Sequence, residues 1–242
     1  MGTEQTARID DRLSTVSAPL DDASVVDSYP WPDSTWVRAL MVLNLDGDVA
    51  GPDGSSRSIS GPADRQVLAA CRRFADAVVI GAQTMRAEVY SPMRMSGERQ
   101  EARRADGLAP APRLVIVTAS LDLPWSADAF HTSTLSPLIL ASAAAPADRQ
   151  ASVPATCELV VAPGPILDPT WIISALTERG LHRILLEGGP HVLRQMAAAG
   201  CVDEWALTVS GIVGEQHFRP VLARPQEEFV FTRFVRDGKE SS

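Results

Sequence analysis

Lysine is almost missing from this chain: of 22 basic residues only Lys239 is not arginine. Coding bias accounts for that, and no function is drawn from it. Cysteine is scarce as well. Cys71, Cys157 and Cys201 are odd in number and widely spaced, which fits reduced thiols and a cytoplasmic location rather than a disulfide framework. No apolar run is long enough to span a membrane, and residues 1–11 carry charges instead of a signal-peptide core. A net charge of -8 argues against general nucleic-acid binding, which wants a basic face. Several catalytic signatures are missing too. There is no G-x-G-x-x-G, so the usual dinucleotide fingerprint is absent. No H-x-E or P-C-x-x-C pair supports zinc-deaminase chemistry. None of the four histidines pairs at i,i+4, so no metal site is expected. G-x-S-x-G is lacking, which disfavours an α/β-hydrolase.

What is present is a chain of 242 residues with an ordinary hydrophobic fraction of 45%, expected to form one α/β domain. Residues 1–28 read as a polar N-terminal extension, and 29–242 as the domain. Trp36 to Leu43 reads as a buried strand, and Asn44-Leu45-Asp46-Gly47 as a turn. Pro62 to Phe74 reads as a helix, with Val67, Leu68, Cys71 and Phe74 on one side and Ser60 or Gly61 as its cap. Further strands are expected at Ala77–Ile80, Leu114–Thr118, Pro137–Leu140, Cys157–Val161, Ile184–Leu186 and Glu204–Val209. Helices are expected over Thr170–Arg179 and after Pro190. Residues 91–112, rich in Arg, Glu and Pro, read as a long exposed loop. Phe229 to Val235 alternates weakly and reads as a final antiparallel strand. Strands alternating with helices imply a mostly parallel sheet covered on both faces.

Glu187-Gly188-Gly189-Pro190 is the most informative stretch. A strand, paired glycines and a helix start let a backbone approach a ligand and present free N–H groups to an anion. The same residues also make a tight turn with no ligand. Gly81-Ala82-Gln83-Thr84-Met85-Arg86 adds a glycine, a hydroxyl and a cation at another strand end, and Thr118-Ala119-Ser120 adds two hydroxyls at a third. Ligands of open α/β sheets bind outside such carboxyl ends. Taken singly, the arginine also reads as a solvated cation and the hydroxyls as turn-formers.

These stretches, with Leu45-Asp46-Gly47 and Ser60-Gly61-Pro62-Ala63-Asp64-Arg65 before them, stand in one order over roughly residues 36 to 214. In that order the chain resembles the reductase domain of riboflavin biosynthesis, a family with the dihydrofolate reductase-like fold. The resemblance implies a three-layer α/β architecture, an NADPH cofactor, a pyrimidine or pteridine substrate and a homodimer formed through the C-terminal strand region. It assigns Gly81, Thr84, Arg86, Thr118, Ser120, Glu187, Gly188, Gly189 and Pro190 to the cofactor. It assigns Asp46, Ser60, Asp64 and Arg94 to the substrate. Asp64 is also the candidate catalytic group, because hydride transfer to a C=N bond needs a proton for the nitrogen; its other reading is a charge favourable at a helix start. Two departures stand out. Family members often carry arginine where this chain has Ala119, which weakens the site for the adenosine 2′-phosphate. After Arg86 the family continues with two acids, a proline and Leu-Thr-x-Arg, whereas this chain has Ala87-Glu88-Val89-Tyr90-Ser91-Pro92-Met93-Arg94-Met95. The deaminase domain that often precedes the reductase is not seen, so a stand-alone branch is expected. Three functions follow as alternatives: reduction of 5-amino-6-(5-phosphoribosylamino)uracil, dihydrofolate reduction, and a non-catalytic NADPH-binding module. The Gly211-Ile212-Val213-Gly214-Glu215 end keeps the last one open.

Overall fold

Trp36–Leu43, the strand β1, lies inside the sheet with both edges paired to segments about 150 residues or more further on. The computed structural model describes residues 28–88, 90–213, 216–217, 229–236 and 238. Apart from Ser28 the expected N-terminal extension lies outside them, as do Val89, Gly214, Glu215 and Lys239. After β1 come α1 (Pro62–Phe74), β2 (Ala77–Gly81), α2 (Ala82–Ala87) and α3 (Gly97–Ala105). Then follow β3 (Arg113–Thr118), β4 (Leu138–Ala141), α4 (Ala147–Ala151), β5 (Glu158–Val161), α5 (Pro169–Thr177), β6 (Arg183–Gly188) and α6 (Pro190–Ala198). The described chain closes with β7 (Glu204–Ser210), the short pair β8 (Ile212–Val213) and β9 (Gln216–His217), and β10 (Phe229–Val235).

Eight strands form one sheet in the order β10-β7-β1-β6-β2-β3-β4-β5. All neighbours are parallel except β10, which runs antiparallel to β7 from Phe229↔Ser210 to Val235↔Glu204. This is the expected α/β architecture, a mostly parallel sheet covered on both faces with an antiparallel strand at its C-terminal end. Alternation along each strand supplies both cores. Val78, Ile80, Leu114, Ile116 and Leu185 face a layer with Val67 and Cys71 of α1. Val79, Val115, Val117, Ile184 and Leu186 face the other, with Ile172 and Leu176 of α5 and Val192 and Met196 of α6. Both faces of a parallel sheet are thereby covered.

One expectation fails. Residues 91–112 do not form a continuous exposed loop, because Gly97–Ala105 is helical and Arg103 is fully buried. The composition misleads because that guanidinium is a structural plug. It donates to the carbonyls of Arg73 at 2.5 Å and Arg72 at 3.3 Å, at the end of α1, and to that of Ala109 at 2.6 Å. Terminal helix carbonyls lack intrahelical donors, and a cation suits the negative end of the dipole.

Candidate active site

The first element of the site is the junction of three strand ends. Gly81 ends β2, Thr118 ends β3 and Gly188 ends β6. Gly189 caps α6 and Pro190 opens it, with no side chain capping the first-turn amides. These ends enclose a cleft of about 210 Å³ lined by Gly81, Gln83, Arg86, Thr118, Ser120, Gly189 and His191 among others. Its closeness explains the glycines. A Cβ on Gly189 would lie 2.6 Å from Thr84 Oγ1, and one on Gly81 would lie 2.9 Å from Val192 Cγ2. Gly188 has φ +101 and lies beneath the turn, where a Cβ would meet Met41 Sδ at 3.4 Å; it lines neither cleft.

A second cleft of about 390 Å³ adjoins the first. Gln83 and Gly189 line both, so the start of α2 and the diglycine turn form the shared wall. The end of β1 gives the second cleft Leu40, Met41 and Val42, and the following loop gives Val49, Ser56 and Arg57. Ser60, Asp64, Arg65 and Leu68 come from the start of α1, and Thr84, Glu187 and Pro190 also line it. The Ser60 hydroxyl donates to Asp64 Oδ2 at 2.6 Å, leaving the other carboxylate oxygen without a recorded protein donor.

Glu187 lies at the floor of this second cleft. Arg72 grips it with two bonds, Nε to Oε1 at 2.7 Å and Nη2 to Oε2 at 2.6 Å, and the Tyr90 hydroxyl donates to Oε2 at 2.6 Å. Arg72 Nη2 also donates to the Tyr90 oxygen at 2.9 Å. Burial pushes the Tyr90 phenol well above its usual 10.0, against the pull of Arg72, so it stays a donor. Burial works against the Arg72 charge, but Glu187 and Tyr90 more than compensate and raise its pKa. Above the floor, Glu88 ties down the loop. It accepts from Ser55 Oγ at 2.8 Å, from the Ser56 amide at 2.9 Å and from Ser56 Oγ at 3.1 Å.

Several sequence-expected residues take other places. Asp46 is exposed in a turn held by Asn44, whose Oδ1 accepts from the amides of Asp46 at 3.0 Å and Asp48 at 2.8 Å, and it lines neither cleft. Arg94 donates from Nε to the Thr132 carbonyl at 2.6 Å and also lines neither. Thr118 lines the first cleft, but its hydroxyl accepts from the Leu121 amide at 3.0 Å and so shapes the turn. The sequence reading passed over Arg72, Tyr90 and Arg65. Nothing in the local sequence of α1 marks Arg72. Tyr90 stood in a stretch noted only for departing from the family pattern.

Fold and clefts together define the class: a mostly parallel α/β protein with two adjoining clefts that share one glycine turn. A family model, the RibD C-terminal domain, matches residues 35–234, and the chain belongs to that family. The 2,5-diamino-6-ribosylamino-4(3H)-pyrimidinone 5′-phosphate reductase of Archaeoglobus fulgidus is 25% identical over 169 residues, covering 70% of this chain and 77% of that protein. Its namesake from Methanothermobacter thermautotrophicus is 29% identical over 181 residues, covering 73% of this chain and 80% of that protein. Among solved structures, a pyrimidine reductase-like protein from Corynebacterium diphtheriae superposes with a TM-score of 0.75 at 25% identity, over 88% of this chain and 97% of that one.

Proposed function

We propose that the chain is an NADPH-dependent pyrimidine reductase of riboflavin biosynthesis, with 5-amino-6-(5-phosphoribosylamino)uracil as its substrate. The observation that carries this reading is the shared wall: Gln83 and Gly189 belong to both clefts, so a ligand in each would meet there. The first cleft fits a dinucleotide. It has a glycine turn with no room for a Cβ, uncapped amides at the start of α6, and Arg86 and Ser120. The cofactor supplies a hydride. The chain supplies the rest: Gly81, Thr84, Gly189 and Pro190 shape the meeting point, and Glu187 is held rigid by Arg72 and Tyr90 to accept from a ring N–H or a hydroxyl.

The substrate is a cyclic ribosylamine. Opening of its ribose gives a C=N bond, and a hydride added at C1 with a proton added at nitrogen leaves a ribitylamine. Asp64, fixed by Ser60, is the carboxyl placed to hold that proton. Arg94 is engaged away from the cleft, so the substrate phosphate falls to Arg65, which lines the cleft and whose guanidinium makes no hydrogen bond among the described residues. The two archaeal relatives are named for a 2-amino pyrimidinone, which makes the amino compound the natural second substrate to test. The apolar flank of Leu40, Met41, Val42, Val49 and Leu68 supports dihydrofolate as an alternative.

NADPH oxidation assayed with each phosphoribosylaminopyrimidine and with dihydrofolate separates these. Turnover of a pyrimidine phosphate, with dihydrofolate inert, is the expected outcome; turnover of neither class, with NADPH bound, overturns the reading. A cytoplasmic homodimer completes the proposal. The C-terminal strand β10 exposes Val230, Phe234 and Val235, and no helix among the described residues is long and apolar enough to cross a membrane.

A further inference from the structure

Two arginines from different helices reach one short turn at the first cleft, whose lining includes Ser120 and Arg86. Arg86 of α2 donates from Nη1 to the Asp122 carbonyl at 2.6 Å. Arg149 of α4 donates from Nη1 to the Ser120 carbonyl at 3.1 Å. Between those carbonyls lies Leu121, buried at 1% exposure with φ +55, its amide bonded to Thr118 Oγ1. The turn is therefore fixed from inside the fold, and it fixes both guanidinium groups in turn. Each group has five N–H donors and uses one on the turn. Among the described residues the Arg149 guanidinium has no other partner, while that of Arg86 has only the Asp122 carboxylate, at 3.9 Å.

The position of this turn identifies what it meets. Gln83 and Gly189 mark the end of the first cleft that opens on the second, where a reacting ring belongs. Ser120 lines the first cleft only, so its turn receives the opposite, adenosine end of a dinucleotide. Ala119 offers no charge there.

We propose that Arg149, together with Arg86, grips the adenosine 2′-phosphate and gives this chain its preference for NADPH over NADH. The proposal rests on the nicotinamide-dependent reading above. Arg149 takes the part that Ala119 leaves empty, reaching in from α4 instead of from the loop itself. Planar guanidinium groups suit a phosphate because they offer paired donors. Asp122 opposes the anion, but its side chain is 63% exposed and free to swing away from Arg86.

The test compares the full-length chain with R149A and R149K, each checked for an unchanged melting temperature. Calorimetric binding of 2′,5′-ADP and of 5′-AMP is the primary readout, with KM for NADPH and NADH beside it. The wild type is expected to favour 2′,5′-ADP by at least about tenfold. R149A should lose about tenfold for 2′,5′-ADP and NADPH while 5′-AMP and NADH stay within about twofold, with R149K in between. Equal weakening of both ligands would make Arg149 a mere prop for the Ser120 carbonyl and overturn the proposal, as would no change in either. A wild type that binds 5′-AMP as tightly as 2′,5′-ADP also overturns it, though an NADH-dependent reductase would survive. Selective 2′,5′-ADP binding lost in R149A, without turnover of any ring substrate, would uphold the grip and sink the reductase reading.

Discussion

Asp64 and Glu187 are both carboxylates of the second cleft, yet their surroundings give them different work. Glu187 receives three donors, two of them from one bidentate arginine, and is an oriented acceptor. Asp64 has one donor among the described residues, the Ser60 hydroxyl, and is the group proposed above to hold the proton. Asp64→Asn keeps the shape and removes the acid. It should lower kcat by about 10² or more, the usual contribution of a positioned acid or base, with cofactor affinity unchanged. Steady-state kinetics with direct NADPH titration checks this, and full turnover in the variant removes Asp64 from the mechanism. Asp64 was legible because an acid on a helix start after Ser-Gly-Pro is a local pattern. Tyr90 and Arg72 were not, since their meaning comes from Glu187, about a hundred residues away along the chain. Asp46 and Arg94 show the converse: each sits in a suggestive motif, but Asn44 holds the Asp46 backbone in an exposed turn outside the clefts and the Thr132 carbonyl engages the Arg94 guanidinium.

Among the elements, the turn from β6 into α6 is where sequence and structure agree most closely. Glycine there has a steric reason that a pattern can signal but not measure. Gly189→Ala would drive a Cβ to 2.6 Å from Thr84 Oγ1 and push the start of α6 away from α2. The expected cost is about 1–3 kcal/mol of stability, typical of overpacking, with a rise in NADPH KM of about tenfold or more. Thermal melts and cofactor titrations measure the two effects, and a variant with wild-type KM would mean that the turn is not the cofactor wall. Helix α3 was illegible for a related reason. Its residues are nearly all polar, and the one that matters, Arg103, is buried against carbonyls from the distant end of α1 and from Ala109. The strands, by contrast, were readable from runs of Val, Ile and Leu, with boundaries off by about one residue.

At the scale of the whole molecule, Glu204 joins three strands. It pairs with the fully buried Arg38 of β1 at 2.9 Å and with Arg233 of β10 at 2.7 Å, and it accepts from Trp36 Nε1 at 2.9 Å. Burial alone would raise its pKa, but the bonds from Arg233 and Arg38 outweigh it and hold the carboxyl below its ordinary 4.5. A lowered pKa in the folded state stabilises fully above pH 4.5, and that stability is lost as pH falls through the folded value. Unfolding monitored against pH should therefore show an acid limb beginning below about pH 4.5 that is shallower in Glu204→Gln, a variant already weaker by about 3–5 kcal/mol at neutral pH because Arg38 is left buried and unpaired. Identical acid limbs would show that this carboxyl does not govern acid stability. The exposed face of β10 makes a second expectation. Sedimentation should give a dimer for the wild type and a monomer for Phe234→Asp, and a monomeric wild type would refute the proposed assembly.

The strand order also sets a timetable. β2 to β5 lie side by side as they leave the ribosome, but β1 waits with both edges bare until β6 and β7 emerge. β6 is the keystone, the single strand that bridges β1 to β2. A nascent chain halted before residue 183 therefore holds a nearly all-apolar ribbon with nothing to pair against. The strand that leads into the diglycine turn is thus also the one that ends the most aggregation-prone interval of the protein's own synthesis.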